Sequence, residues 1–182
     1  MKVIGVVGLP ASGKGEFSKI AAETGIPVIV MGDMIRRAVS EAGLVADDTN
    51  FGATATRLRA ERGMDAIAQL CIPEIRNQSA PIVLVDGIRG DAEVSLFRRT
   101  FPGFRLISID SSFETRLARI GARARSDDFT SADALRNRDA REAAWGLLDA
   151  LDSADIHIRN EGTLEEFARV VRALLEEIGR DP

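Results

Sequence analysis

Two glycines five residues apart, Gly8 and Gly13, are followed at once by Lys14, and this spacing constrains the fold more than any other feature of the sequence. Glycines at these positions let the backbone wrap around a phosphate with its N–H groups turned inward, while the lysine reaches the outer phosphates. The pattern follows an apolar run, Val3 to Val7, and precedes a helical segment, which is the setting that this mechanism requires. The sequence therefore predicts a phosphate-binding P-loop. Its candidate nucleotide-binding residues are Gly8, Leu9, Pro10, Ala11, Ser12, Gly13, Lys14, Gly15 and Glu16.

The residues after the lysine depart from the common form of this loop. A Ser or Thr usually follows the lysine and holds magnesium through its hydroxyl, whereas Gly15 and Glu16 stand here. Water, another carboxylate or Glu16 itself must therefore complete the coordination of a magnesium ion.

Five short apolar runs indicate the strands. They are rich in Val and Ile rather than alternating with polar residues, which is typical of strands buried on both faces of a parallel sheet. Helical patterns separate them, so the sequence predicts an α/β fold. The runs are Val3 to Val7, Pro27 to Met31, Ile82 to Val85, Arg105 to Ile109 and Ile156 to Ile158.

Charge and composition exclude several functions. A net charge of -4 argues against a dedicated nucleic-acid binder, which needs a broad cationic face. One histidine and one cysteine are too few ligands for an ordinary zinc site, and we expect Cys71 in a helix interior and His157 in the core or at a sheet edge.

No apolar run approaches the ~20 residues that span a bilayer. No secretory leader precedes the first strand, so we expect a cytoplasmic protein without a membrane partner.

A second motif carries a family resemblance. Met31 to Arg37, which reads Met-Gly-Asp-Met-Ile-Arg-Arg, resembles the segment of adenylate kinases that opens their nucleoside-monophosphate-binding insertion. With the P-loop, it makes the whole chain resemble the P-loop nucleoside monophosphate kinases, and among them the archaeal adenylate-kinase-related proteins. Dephospho-coenzyme A kinases are more distant.

The resemblance implies a complete architecture. We expect a three-layer P-loop NTPase fold with a five-stranded parallel sheet, strand order 2-3-1-4-5, helices on both faces and two helical insertions. The expected single domain, 1–182, has its core at 1–35, 78–120 and 147–182, the nucleoside-monophosphate-binding insertion at about 36–77 and a lid at about 121–146.

The resemblance also implies acceptor and metal residues. Arg36 matches the arginine that grips the acceptor phosphate, which suits a planar bidentate donor, and Arg37 is a weaker candidate. Asp86 ends an apolar run in the Walker B form and is the first choice for magnesium. Asp33 is the second choice and a candidate substrate contact. Adenylate kinases read Asp-Gly-Phe-Pro-Arg where this chain reads Asp-Gly-Ile-Arg, so the matching acceptor residue, Arg89, stands one residue earlier and the proline is absent.

A further set of arginines falls where these kinases carry their lid. Mobile arginines that close over the transferred group stabilise its charge and exclude water. Arg119 and Arg123 are spaced to share one helical face and, with Lys14, are the candidate catalytic residues. Arg138 is a candidate substrate contact at the far end of the lid. A solvated helix with internal ion pairs is the alternative interpretation of this group.

The implied activity is an ATP-dependent transfer of the γ-phosphoryl group to a nucleoside monophosphate or a similar nucleotide-like acceptor, with ATP and Mg²⁺ bound. Three alternatives stay open: an ATPase, a nucleotide-responsive regulatory protein, and a dephospho-coenzyme A kinase-like activity. The sequence leaves the acceptor and the oligomeric state undetermined.

Overall fold

Strands and helices alternate along the chain, as the apolar runs predict. The computed structural model describes residues 1–123 and 131–180. In chain order the elements are β1 (Lys2–Val7), α1 (Lys14–Glu23), β2 (Val28–Val30), α2 (Met31–Glu41), α3 (Asp48–Arg62), α4 (Ala66–Arg76), β3 (Ile82–Ile88), α5 (Asp91–Thr100), β4 (Arg105–Asp110), α6 (Phe113–Arg123), α7 (Ala132–Ala143), α8 (Leu147–Asp152), β5 (Ile156–Arg159) and α9 (Leu164–Arg180).

The described strands form one parallel sheet in the order β2-β3-β1-β4-β5, which confirms the predicted fold class and strand order. The strand order reverses at β1, because β3 and β2 lie on one side of it and β4 and β5 on the other. Ligands of open α/β sheets bind at such a switch point, beyond the carboxyl ends of the strands. The P-loop follows β1 and therefore occupies this position.

The central strand is buried on both faces. Val3 and Val7 belong to the core that packs against helices α2 to α5 and α8, whereas Ile4 and Val6 belong to the core beneath α1 and α9. Gly5 lies between them, and a Cβ there would come within 2.5 Å of the Ile88 side chain. A glycine at this position lets the side chains of Ile88, on β3, and Phe104, just before β4, approach β1 closely.

Two strand ends differ from the predicted ones. β2 is shorter than its apolar run, because Met31 already begins α2. β3 continues past Val85 to Ile88 through a bulge: Val6 pairs with Asp86 and Val7 with Ile88, which leaves Gly87 out of register with a φ of 91°. Asp86 therefore lies beside a bulge within the strand rather than at its end. Bulges of this kind re-aim neighbouring side chains and are common next to functional sites.

The expected roles of the lone cysteine and histidine are confirmed. Cys71 is buried in α4, and burial raises the pKa of its thiol to about 12. His157 lies on the edge strand β5, exposed, with its Nδ1 2.8 Å from Ser108 Oγ. Within the described ranges, no helix combines the length and apolar character needed to cross a membrane.

The two predicted insertions correspond to helical segments. Residues 36–77 contain most of α2 with α3 and α4, and the predicted lid at 121–146 contains α7. Residues 124–130 of that lid lie outside the described residues. The division of the chain into core, insertion and lid stays a prediction.

Candidate active site

The P-loop joins β1 to the first turn of α1. The backbone adopts left-handed conformations at Ala11, with φ 62°, and at Gly13, with φ 121°. The carbonyl of Gly13 accepts hydrogen bonds from the backbone N–H groups of Glu16 and Phe17, both at 3.0 Å, which ties the loop to the helix start. The positive end of the helix dipole therefore adds to the loop's affinity for anions.

Side chains outside the loop hold one of its carbonyl groups. Ser12 O accepts hydrogen bonds from Asn160 Nδ2 at 2.8 Å, Ser111 Oγ at 3.1 Å and Arg119 Nη1 at 3.2 Å. Arg119 also donates to the Asn160 carbonyl at 3.0 Å. A peptide group whose carbonyl is fixed on one side presents its N–H to the other side, as phosphate-binding loops require.

Lys14 is folded onto the loop. Its Nζ donates to the carbonyls of Gly8 at 2.5 Å and Leu9 at 3.0 Å. Burial, together with the charge of Arg89, lowers the pKa of Lys14 to about 7, while the charge of Asp86 opposes the shift. The charge of Lys14 is therefore influenced by two residues at the end of β3. An anionic ligand beside Lys14 would favour its protonated form and raise its pKa.

Arg116, on α6, is buried and links three elements. Its Nη1 and Nη2 donate to the two carboxylate oxygens of Asp139 at 3.0 and 2.7 Å, and Nη1 also donates to Pro10 O at 3.2 Å. This bidentate pair connects α6, α7 and the P-loop. The side chain of Arg123, predicted as catalytic, lies outside the described residues.

The two predicted metal ligands have different environments. Asp86 is only 9% exposed beside the β3 bulge, whereas Asp33 is exposed and pairs with Arg36 at 2.5 Å. No cluster of three or more His, Cys, Asp or Glu side chains suited to a metal occurs within residues 1–123 and 131–180. A single carboxylate fits Mg²⁺, because this ion is usually held by one or two carboxylates together with substrate phosphates and water. Glu16 lies 3.7 Å from Lys19 in an ion pair.

A cavity opens at Gly87 of the β3 bulge, and we call it the arginine-lined cavity. Its apolar walls come from α2, α3, α4 and the segment that follows α7, and comprise Met31, Ile35, Phe51, Ala55, Ile67 and Trp145. Five guanidinium groups also line it, namely Arg36, Arg59, Arg89, Arg138 and Arg141. The structure thus brings together three predicted acceptor residues, Arg36, Arg89 and Arg138. A cavity with apolar walls and convergent polar groups is the common form of a small-molecule site.

A buried glutamate holds two of the arginines that line this cavity. Glu93 is fully buried on α5 and accepts a hydrogen bond from Arg59 Nη2 at 2.7 Å and from the Arg89 backbone N–H at 2.7 Å. The Arg59 guanidinium lies 4.4 Å from the centre of the Trp145 ring. Burial raises the pKa of the Glu93 carboxyl, and the Arg59 charge opposes that shift.

Two more carboxylates hold the outer arginines. Glu142, on α7, accepts hydrogen bonds from Arg89 and, at 2.8 Å, from Arg138. Asp48, at the start of α3, accepts from Arg141 at 3.0 Å. Burial and the nearby Arg138 lower the pKa of Arg89 to about 9, which still leaves it charged at neutral pH.

The sequence motifs do not predict four of the residues at this site, namely Arg59, Glu93, Glu142 and Asp48. One signal was available for Arg59: it stands at helical spacing from Phe51 and Ala55, so it falls on the apolar face of α3. Glu93 and Asp48 carried no such signal, because the arginines that pair with them lie far away in the chain. Glu142 stands four residues after Arg138, the spacing of a helical ion pair, but nothing local indicates its contact with Arg89.

Comparison with known proteins places the chain among P-loop proteins. A sequence profile of the AAA domain matches residues 4–144. The UPF0200 protein of Methanoregula boonei is 62% identical over 182 residues, which cover 100% of both chains. The UPF0200 protein of Methanoculleus marisnigri is 60% identical over 179 residues, 98% of each chain.

Solved structures share the fold at low sequence identity. TT1252 from Thermus thermophilus has a TM-score of 0.66 and 20% identity, covering 96% of each chain. Shikimate kinase from Aquifex aeolicus has a TM-score of 0.54 and 16% identity, covering 99% of each chain. The fold is thus one that P-loop kinases use, while the specific relationship to adenylate kinases stays a prediction.

Proposed function

The chain belongs to the UPF0200 family, with its AAA domain over residues 4–144, and from that premise we propose that it is an ATP-dependent kinase. It transfers the γ-phosphoryl group of ATP to a nucleoside monophosphate or a similar nucleotide-like acceptor. The P-loop holds the donor, and the arginine-lined cavity holds the acceptor.

One observation carries this proposal: the strand that leads into the P-loop pairs with β3 at its bulge, and residues at the same bulge line the cavity. Asp86 pairs with Val6, just before the P-loop, and Gly87 and Arg89 line the cavity. The positive charge of Arg89 contributes to the lowered pKa of Lys14, which is electrostatic repulsion between the two side chains. A donor phosphate at Lys14 and an acceptor phosphate at Arg89 would therefore lie face to face, as phosphoryl transfer requires.

On the donor side, Lys14 moves its hydrogen bonds from the loop carbonyls to the outer phosphates. Asp86 would hold Mg²⁺, which supplies charge neutralisation on the phosphate oxygens. Arg119 acts beside the loop through Ser12, and Arg123 is the second proposed catalytic arginine of this set.

On the acceptor side, Arg36, Arg89 and Arg138 grip the anionic end of the acceptor. Glu142 keeps Arg89 and Arg138 together before the acceptor arrives. Prepositioned guanidinium groups lower the reorganisation cost of binding an anion and of stabilising the charge that is being transferred.

The test is product analysis with the purified chain, ATP and Mg²⁺. Nucleoside monophosphates and dephospho-coenzyme A are offered as acceptors, and phosphorus NMR follows ADP, free phosphate and the phosphorylated product. We expect one acceptor to be phosphorylated with little release of free phosphate. Lys14→Ala should lower kcat/KM by about 10²–10³-fold, the usual cost of removing one charge-stabilising donor.

Lys19→Ala provides the matched control, because this lysine lies on the same helix with a largely exposed side chain. Free phosphate released at the same rate with every acceptor would replace the kinase proposal with an ATPase. Tight ATP binding without turnover would replace it with a regulatory role.

A further inference from the structure

Arg59 is a buried cation within the proposed acceptor cavity. Arg59 is 5% exposed and lies on the apolar face of α3. Glu93 Oε1 holds its Nη2 at 2.7 Å, and the Trp145 ring lies 4.4 Å from its guanidinium carbon. The ion pair and the ring together fix the position of the guanidinium group before any ligand binds.

Arg59 has hydrogen-bonding capacity that the described residues do not use. Its Nε and Nη1 are buried atoms without a partner among residues 1–123 and 131–180. Buried donors normally have partners, so unused ones in a cavity point to a ligand. Nε–H and Nη1–H point in different directions, so the two of them cannot bind adjacent acceptors of one ring. Nη2 carries two hydrogens and gives one to Glu93. Its second hydrogen is parallel to an N–H of Nε or Nη1, and this free edge is a planar fork for two adjacent acceptors.

A buried acceptor complements these donors. Glu142 is 1% exposed and lines the same cavity, and its Oε2 also lacks a partner among the described residues. Its Oε1 is occupied by Arg89 and Arg138. The cavity therefore offers both N–H donors and a carboxylate acceptor. A ligand that presented only acceptors would leave the carboxylate oxygen of Glu142 without a hydrogen bond.

The charge balance distinguishes a neutral ligand edge from an anionic one. The Arg59 charge is already balanced by Glu93, and both side chains are buried. A carboxylate or phosphate at Arg59 would lose its solvation beside a buried pair that is already neutral, which is unfavourable. Arg89 and Arg138 are partly exposed and can take the anionic end of the acceptor instead. A neutral planar ring between apolar walls carries no such cost.

We propose that Arg59 is a specificity-determining residue that binds the O6 and N7 edge of a 6-oxopurine base, so that the acceptor is a guanine or hypoxanthine nucleotide. This inference rests on the proposed function, since it names the acceptor of the same site. Arginine contacts to O6 and N7 are the commonest specific contacts to guanine, and the N1–H of the same ring is a donor for Glu142. Phe51 and Ile67 line the cavity and supply apolar surface for the ring.

Other bases fit the cavity less well. Adenine places an amino donor where a 6-oxopurine has its O6 acceptor, so a donor would face the donors of Arg59. Uracil has no equivalent of the N7 acceptor beside its carbonyl. These mismatches leave buried polar groups unpaired, which is the strongest source of discrimination between similar ligands.

The first test varies the ligand and uses the unaltered chain. GMP, IMP, AMP and UMP are titrated by calorimetry and offered as acceptors with ATP and Mg²⁺. We expect GMP and IMP to exceed AMP by roughly ten- to a hundredfold in affinity and in kcat/KM. The analogue 7-deaza-GMP keeps O6 but lacks N7, and we expect it to bind several-fold more weakly than GMP.

The second test varies the protein. Arg59→Lys keeps the charge that Glu93 needs but removes the planar set of donors. We expect the KM for GMP to rise about tenfold or more, with kcat and the KM for AMP nearly unchanged. Arg57→Lys, an exposed change on the same helix, should alter neither value. If Arg59→Lys does not fold, the analogue comparison still tests the contact.

The outcomes separate this inference from the proposed function. Equal affinity for GMP and AMP overturns the role of Arg59, even if both are phosphorylated and the kinase proposal stands. Selective binding of GMP without transfer supports the role of Arg59 and overturns the kinase. If no nucleoside monophosphate binds, the proposed base contact is overturned. Phosphoryl transfer to a different acceptor would in that case show that the chain is a kinase with another substrate.

Discussion

The P-loop follows β1, whereas the arginine-lined cavity opens at the end of the neighbouring strand β3, and the chain builds the two by different means. The P-loop is nine consecutive residues, 8–16, whose function resides mainly in backbone groups. The cavity collects side chains from five separated elements, and buried ion pairs such as Arg59 with Glu93 hold them in place. Backbone sites depend on local conformation, whereas side-chain sites depend on the whole fold.

The largest expected effect tests whether buried ion pairs hold the cavity together. Glu93→Ala leaves Arg59 as an uncompensated buried charge, which should lower the free energy of unfolding by about 3–5 kcal/mol. Urea denaturation measures this change. Glu61→Ala removes the exposed partner of Arg57 on α3 and should cost at most about 0.5 kcal/mol. Equal effects of the two changes would show that the buried pair does not organise the cavity.

A smaller effect tests how far the P-loop depends on a side chain outside it. Asn160→Ala removes a buried donor to Ser12 O, and we expect a loss of about 1–3 kcal/mol in stability together with weaker ATP binding. Thermal unfolding and ATP titration measure the two losses. Asn77→Ala, at an exposed position after α4, should stay within about 0.5 kcal/mol. Unchanged ATP affinity in Asn160→Ala would mean that the loop keeps its shape without this contact.

A pH titration tests the electrostatic link between the two regions. Lys14 has a pKa of about 7 in the free protein, and bound phosphates favour its charged form and raise that pKa. Binding at pH 8 should therefore take up a proton, and ATP affinity should fall by up to about tenfold per pH unit above pH 7. Below pH 7 the lysine is already charged, so this dependence disappears.

Calorimetry in buffers with different ionisation enthalpies counts the protons. Lys14→Arg stays charged through this range, so its titration shows only the protons that belong to ATP itself. The same proton uptake in both proteins would exclude Lys14 as the titrating group.

The smallest expected effect concerns backbone strain in the P-loop. Ala11 has a φ of 62°, a conformation that disfavours residues with a side chain. Ala11→Gly relieves this strain, and after the added entropy of glycine it should stabilise the protein by at most about 1 kcal/mol. Ala60→Gly, at an exposed position of α3, should instead destabilise by about 1 kcal/mol. Losses in both variants would mean that the loop stores no strain at Ala11.

The sequence by itself determined the sheet and the P-loop. Five runs rich in Val and Ile became the five described strands, because such runs are stable only when both faces are covered. The glycines and the lysine of residues 8–14 specify a backbone conformation within one short segment, so their role is readable without the rest of the chain. The strand order came from the family resemblance rather than from the runs themselves.

Only the tertiary structure decided which arginines share a cavity. Arg59 and Glu93 are separated by 34 residues, and their pairing depends on how α3 and α5 pack. The bulge at Gly87 depends on both levels, because its φ of 91° suits glycine while pairing with β1 sets the register. A buried charge is tolerated only beside a partner of opposite charge. Because the fold brings that partner from a distant part of the chain, no local sequence pattern predicts the pair.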